Sequence, residues 1–181
     1  WLCHQLASWS SRHINLQAIV FSWFYYRFCK SYPFPQIFKS VKHTPAFAVL
    51  SVHFFIFYII NQFLNPHPDM LDHWVWSRFL SLSYYEHPPM IAWLIRGITV
   101  LGGQSEEVLE IGSQLVTLSI LTLIYVGTFF LYGRNAALVT LMILCSMPYF
   151  TLGSIFLHIT QPFLIFWILS LFLLICYHSQ P

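Results

Sequence analysis

The chain has 181 residues, 57% of them apolar and 19% aromatic, with a mean hydropathy of +0.66 and only 8% charged. A soluble domain carries about 25% charged residues, so this composition does not fit an ordinary cytosolic globule. It also excludes a nucleic-acid binder, a disordered tail and a disulfide-rich secreted module. All six carboxylates (Asp69, Asp72, Glu86, Glu106, Glu107, Glu110) share one window, and neither the first 68 nor the last 71 residues contain any. The expected fold class is an all-α polytopic membrane protein of about four spans with interfacial juxtamembrane helices, its polar chemistry gathered in one loop.

In chain order, residues 1–43 form an N-terminal segment of uncertain character. The apolar run Ile14 to Phe28 is short and leads into a Lys/Pro-rich stretch. It reads as an interfacial helix, a damaged span or foreign upstream sequence. The first residue is Trp1 and the first methionine Met70, and the last apolar segment runs almost to Pro181. The chain is therefore expected to be a fragment, truncated at both ends.

Crossing the hydrocarbon core takes roughly 20 apolar residues in a helix. The first span is expected over 44–64, with Thr44 as cap and Pro45 in the first turn. An external loop with amphipathic helices follows over 65–105. The second span covers 106–132, where Glu106 and Glu107 suit a helix N-terminus. The third covers 135–153, with Pro148 near its far end, and the fourth 161–177, opened by Pro162. The four cysteines (Cys3, Cys29, Cys145, Cys176) have no metal-ligand spacing, and Cys145 and Cys176 read as small buried hydrophobes. Arg12, Arg27, Lys30, Lys39 and Lys42 precede the first span, and Arg134 lies between the second and third. The positive-inside rule places these on the cytoplasmic side, so the acidic loop and the link around His158 share the opposite, external face.

Within that loop, the stretch from Asp69 to Leu80 reads as an amphipathic helix in the interface. Asp69, Asp72, His73 and Trp76 recur at three- and four-residue steps and can share one face. Trp74 and Trp76 suit the membrane–water boundary. Tyr84-Tyr-Glu-His-Pro-Pro89 follows, then an apolar helix from Met90 to Leu101 containing Arg96 and ended by Gly102-Gly103. The paired prolines hold Glu86 and His87 in an extended turn. A carboxylate beside an imidazole can bind a divalent cation or manage a proton; the alternative is an interfacial loop whose polar residues simply face water.

The segment Asp69 to Glu107 resembles the first external loop of the family 39 glycosyltransferases, the polyprenol-phosphate-sugar-dependent enzymes that include protein O-mannosyltransferases, with the lipid A aminoarabinose transferase as a relative. Trp74-Val-Trp-Ser77, Tyr84-Tyr-Glu-His-Pro-Pro89 and Ile91-Ala-Trp-Leu94 carry the resemblance. It continues through Tyr132-Gly-Arg-Asn-Ala-Ala-Leu138, Ser146-Met-Pro148 and Pro162-Phe-Leu-Ile-Phe-Trp167. It implies the N-terminal part of a C-type glycosyltransferase fold that passes a sugar from a polyprenyl-phosphate carrier to a lipid, glycan or protein acceptor. It further implies an integral, multi-pass protein of the bacterial inner membrane with the loop facing the periplasm.

On that resemblance, Asp69 is the candidate base or acceptor-orienting carboxylate, and Glu86 the acid before the double proline. Glu86 and His87 are candidate ligands of a divalent metal. His87, Asp72, His73, Tyr85, Arg78 and Arg96 are substrate-binding candidates, the two arginines competing with a plain snorkelling role. Three positions depart from the family pattern. Met70 replaces the Glu of an Asp-Glu pair, Thr160 stands at a second Asp, and Glu110 at an Arg. They define the alternative of a divergent or inactive paralogue, a non-catalytic membrane protein. A transporter is the third reading. It is weakened because no span carries an interior formal charge, His53 being the one titratable side chain deep in a span.

Overall fold

The computed structural model describes residues 43–178 apart from Glu86, with side chains as far as Ile175. The N-terminal segment other than His43 lies outside the described residues. Among those residues the protein is all-helical: α1 (Thr44–Asn61), α2 (Pro68–Ser77), α3 (Met90–Gly102), α4 (Glu106–Ser146), α5 (Pro148–Gly153) and α6 (Thr160–His178).

α1 is charge-free and, at 18 residues, about 27 Å long. Its N-cap is His43, not Thr44, and no side chain caps it. Pro45 occupies the first turn, where a missing N–H does no harm. α4 starts at Ser105, whose hydroxyl accepts the Val108 N–H at 3.4 Å, with Glu106 and Glu107 in the first turn. It is not straight. Gly133 has φ 82° and ψ 178°, a conformation open to glycine, and divides the helix into arms 106–132 and 134–146. The stretch 135–153, expected as one segment, is also divided. Met147 is extended (φ −74°, ψ 135°) ahead of Pro148, which disfavours helix at the preceding residue and opens α5.

Five contacts set the order of the segments. His43 Nδ1 lies 3.0 Å from the Tyr125 hydroxyl, while Asn61 at the other end of α1 bonds the Ser154 carbonyl. Ser113 also reaches that carbonyl, so α1 runs antiparallel to the first arm of α4. The second arm returns the chain from Gly133 to the level of Ser113. α6 then runs alongside the first arm, from Gln161 at Thr117 to Phe172 at Gly127. The connections 62–105 and 147–159 therefore lie at the same end of the bundle, and that end carries the candidate site.

Apolar helices gain little from one another hydrophobically in lipid; close packing and interhelical hydrogen bonds hold them. Both are present. A Cβ on Gly112 would come within 2.7 Å of Ile98 Cγ2, so α3 and α4 meet where only glycine fits. At the site end, α1, α4 and α6 send polar side chains onto one turn. His53 Nε2 lies 2.9 Å from Ser154 Oγ, and Asn61 Nδ2 and Ser113 Oγ donate to the Ser154 carbonyl at 3.2 and 3.3 Å. Gln161 Nε2 donates to the Gly153 carbonyl at 2.8 Å and to Thr117 Oγ1 at 3.2 Å. His53, deep in α1, is thereby a structural hydrogen-bonding group.

The outward faces of α1, α4 and α6 expose Phe47, Phe55, Ile59, Met142, Phe163, Phe166 and Trp167. α1 and α4 are each long and apolar enough to cross a bilayer. The described structure is that of an all-α membrane protein.

Candidate functional site

The first wall of the site is the connection around α2. Its helix is Pro68–Ser77, shorter than the expected Asp69–Leu80. His67 is the N-cap and accepts the Asp69 N–H on Nδ1 at 3.3 Å, the role usually filled by Ser, Thr, Asp or Asn. The same nitrogen lies 3.9 Å from Asp69 Oδ2. Asp69 and Asp72 are both exposed. The expected shared face is corrected here: the buried stripe is Met70, His73 and Ser77, and the two carboxylates stand on its solvent edge. Met70 is 0% exposed. The position that departs from the Asp-Glu pattern is thus a core position in this chain.

His73 is 2% exposed, and its Nδ1 has no hydrogen-bond partner among the described residues. Burial pushes its imidazole down to about 4; His87 and His158 push the same way, against Asp69 and Asp72. Its ring packs edge-on to Trp76 at 5.1 Å and lies 5.4 Å from His87. The Trp76 ring in turn stacks on Tyr84 at 5.2 Å. The Tyr84 hydroxyl donates to the Phe79 carbonyl at 2.9 Å, with the Trp76 carbonyl at 3.1 Å, and accepts the Ser81 N–H. Trp93 Nε1 donates to the Ser81 carbonyl at 3.2 Å. These bonds fasten the 79–85 turn to α2 and α3. Trp74 Nε1 donates to Gln104, and the Arg78 guanidinium lies 5.1 Å over the Trp74 ring. Arg96 is exposed on α3, and Tyr85 is 97% exposed. Neither is brought to the histidines by a described contact. Glu86 lies outside the described residues.

The second wall is the connection between α5 and α6. Phe156 stacks on the His67 ring at 4.3 Å and 14° and meets the His158 ring edge-on at 6.0 Å. His158 Nδ1 lies 3.0 Å from Thr160 Oγ1 and accepts the Thr160 N–H at 3.4 Å. The Tyr149 hydroxyl lies 2.8 Å from the same Thr160 oxygen. The His158 N–H donates to Gln161 Oε1 at 3.1 Å, linking this wall to the Gly153–Ser154 turn. His67, Phe156 and Tyr149 were not signalled by the sequence; a histidine standing as N-cap before a Pro-Asp pair is the one hint available.

Together these contacts gather Asp69, Asp72, His67, His73, His87 and His158 at one end of the bundle. The set offers carboxylates to accept a proton, imidazoles and hydroxyls. Among the described residues no three His, Cys, Asp or Glu side chains are placed to hold a metal ion. Thr160 supplies a hydroxyl where the family pattern has a second Asp. Of the two metal ligands expected from the resemblance, Glu86 and His87, only His87 is among the described residues.

Residues 86–181 match the family described as dolichyl-phosphate-mannose-protein mannosyltransferase, so the chain belongs to that family of membrane glycosyltransferases. A stretch of 37 residues is 51% identical to the lipid A galacturonosyltransferase RgtD of Rhizobium johnstonii, covering 20% of this chain and 8% of that protein. No solved structure matches.

Proposed function

We propose that this protein is a multi-pass membrane glycosyltransferase that moves a sugar from a polyprenyl-phosphate carrier to a lipid, glycan or protein acceptor. We place the site end of the bundle at the periplasmic face of a bacterial inner membrane. The observation that carries this reading is the convergence of the two connections, which puts Asp69 and four histidines at one end of an apolar bundle. A polyprenyl chain stays in the bilayer and holds its phosphate at headgroup depth, the level expected for such a bundle end. The basic residues that precede α1 in the sequence, and Arg134 beside the Gly133 bend away from the site end, support the orientation.

In this reading Asp69, exposed at the N-terminus of α2, takes the proton of the acceptor hydroxyl as that oxygen attacks the sugar's anomeric carbon. The bond to the carrier phosphate breaks, and the phosphate leaves with its electron pair. Glu86, before the double proline, is assigned to orienting the acceptor or donor. His87, His73 and Asp72 line the same end, and Tyr85 and Arg96 are assigned to peripheral substrate contact. Arg78, stacked over Trp74, is assigned to anchoring at the headgroups.

The test is sugar transfer from a polyprenyl-phosphate donor by the full-length protein in nanodiscs. Asp69→Asn is expected to lower turnover about 10²- to 10⁴-fold, the usual contribution of a positioned base. Glu86→Gln is expected to be impaired in the same assay. Turnover left intact by both substitutions would refute the site assignment.

A further inference from the structure

Resting on that reading of the site, we infer that His158 is a donor-contacting residue whose Nε2–H binds the phosphate of the lipid carrier. The inference starts from the hydrogen-bond chain on the second wall. Nδ1 of His158 accepts the Thr160 N–H, so in the neutral ring this nitrogen carries the lone pair and Nε2 carries the hydrogen. Tyr149 O–H to Thr160 Oγ1–H to His158 Nδ1 is the direction consistent with that tautomer. The half-buried ring is thus locked with a donor at its other nitrogen. The backbone beneath it is fixed as well. Gln161 takes the His158 N–H and is itself held by Gly153 and Thr117.

The charge distribution says what that donor is for. No Asp or Glu occurs in the last 71 residues, so the wall that carries Tyr149, His158 and Thr160 contains no carboxylate. The opposing wall carries Asp69 and Asp72. An anionic phosphate is repelled by Asp69 and Asp72 and admitted at the carboxylate-free wall beside His158, whereas an acceptor hydroxyl needs the carboxylate. The replacement of an expected Asp by Thr160 therefore has a consequence of its own. It removes a negative charge from beside His158 and supplies the hydroxyl that fixes the ring. The buried, unpartnered Nδ1 of His73, within electrostatic reach of His158, is a second polar atom awaiting a partner at this end. A phosphate oxygen held here would be stabilised as charge develops on the leaving group.

The experiment measures binding of farnesyl phosphate, farnesol and inorganic phosphate to the full-length protein in nanodiscs, beside the transfer assay. His158→Ala is expected to weaken farnesyl phosphate about tenfold or more, the usual worth of a hydrogen bond to a charged group, and to leave farnesol binding unchanged. His158→Gln, whose amide N–H reaches near the Nε2 position, is expected to recover most of that loss, and His158→Asn to recover little. Thr160→Val, a mild change at the surface, is expected to weaken farnesyl phosphate about threefold through loss of the ring's anchor. Farnesyl phosphate affinity unchanged in His158→Ala would overturn the inference. Inorganic phosphate binding as tightly as farnesyl phosphate in a His158-dependent way would overturn the assignment to a lipid carrier. If the wild type binds farnesyl phosphate through His158 yet transfers no sugar, the inference stands and the proposed transferase reading fails.

Discussion

The two connections that meet at the end of the bundle are built in opposite ways. The first, 62–105, carries the WVWS and YYEHPP stretches, and all six carboxylates of the chain belong to it or to the first turns after it. It is held mainly by aromatic stacking and by side-chain bonds to its own backbone, as at Trp76, Tyr84 and Trp93. The second, 147–159, leads into the departure at Thr160 and is pinned from three helices through Gly153 and Ser154. Motif density and structural restraint thus fall on different walls of one site. The wall with the carboxylates is presented to solvent, and the wall without charge is fixed rigidly against it.

The largest effect that would sharpen this contrast is at Met70. Restoring the family residue by Met70→Glu is expected to destabilise the protein by about 3–5 kcal/mol, because a carboxylate would enter a fully buried position without a partner. Thermal denaturation in nanodiscs reads this directly. A stable, more active variant would show that the position belongs to the site and not to the core.

The pin on the second wall comes next. A Cβ at Gly153 would sit 2.8 Å from Gln161 Nε2 and 3.1 Å from Thr117 Oγ1. Gly153→Ala is therefore expected to lower stability by about 1–3 kcal/mol through the lost Gln161 bonds. Protection of amides 153–161 from hydrogen exchange should fall with it, while 70–77 is unaffected. Loss spread equally over both connections would break the comparison.

Acid acts on the first wall through His73. The native imidazole stays neutral to about pH 4, whereas in the unfolded chain it protonates near 6.5. Its contribution is present above pH 6.5 and is lost as the pH falls from there toward 4. Linkage predicts a loss of about 1 kcal/mol by pH 5.5, absent in His73→Phe. Proton NMR of the ring should show no titration between pH 5 and 8. The smallest effect is expected at Arg78→Ala. Loss of its contact over Trp74 is worth about 0.5–1 kcal/mol at an exposed site, with the Michaelis constant for the donor unchanged.

Much of this was legible in the sequence because it rests on local rules. The apolar runs, the Ser105 cap with its acidic first turn, and the glycine stop at Gly102-Gly103 follow from length and local chemistry. The family resemblance followed from the WVWS and YYEHPP stretches. The finer placement depended on contacts between residues far apart in the chain. His73 and the carboxylates are one or four residues apart, yet only packing against α3 decides which of them turns inward. The roles of His53, Asn61 and Gln161 were invisible because each bonds to a turn some 8 to 101 positions away. His67 was missed because histidine is an uncommon N-cap and its partner, Phe156, lies in another connection.

The central claim is tested most directly by the donor itself. Full-length protein in nanodiscs, given a sugar-labelled polyprenyl phosphate and a membrane extract as acceptor source, is expected to transfer the sugar and release one polyprenyl phosphate per sugar moved. Transfer from a nucleotide sugar in place of the lipid donor, or no release of polyprenyl phosphate by folded protein, would contradict the account.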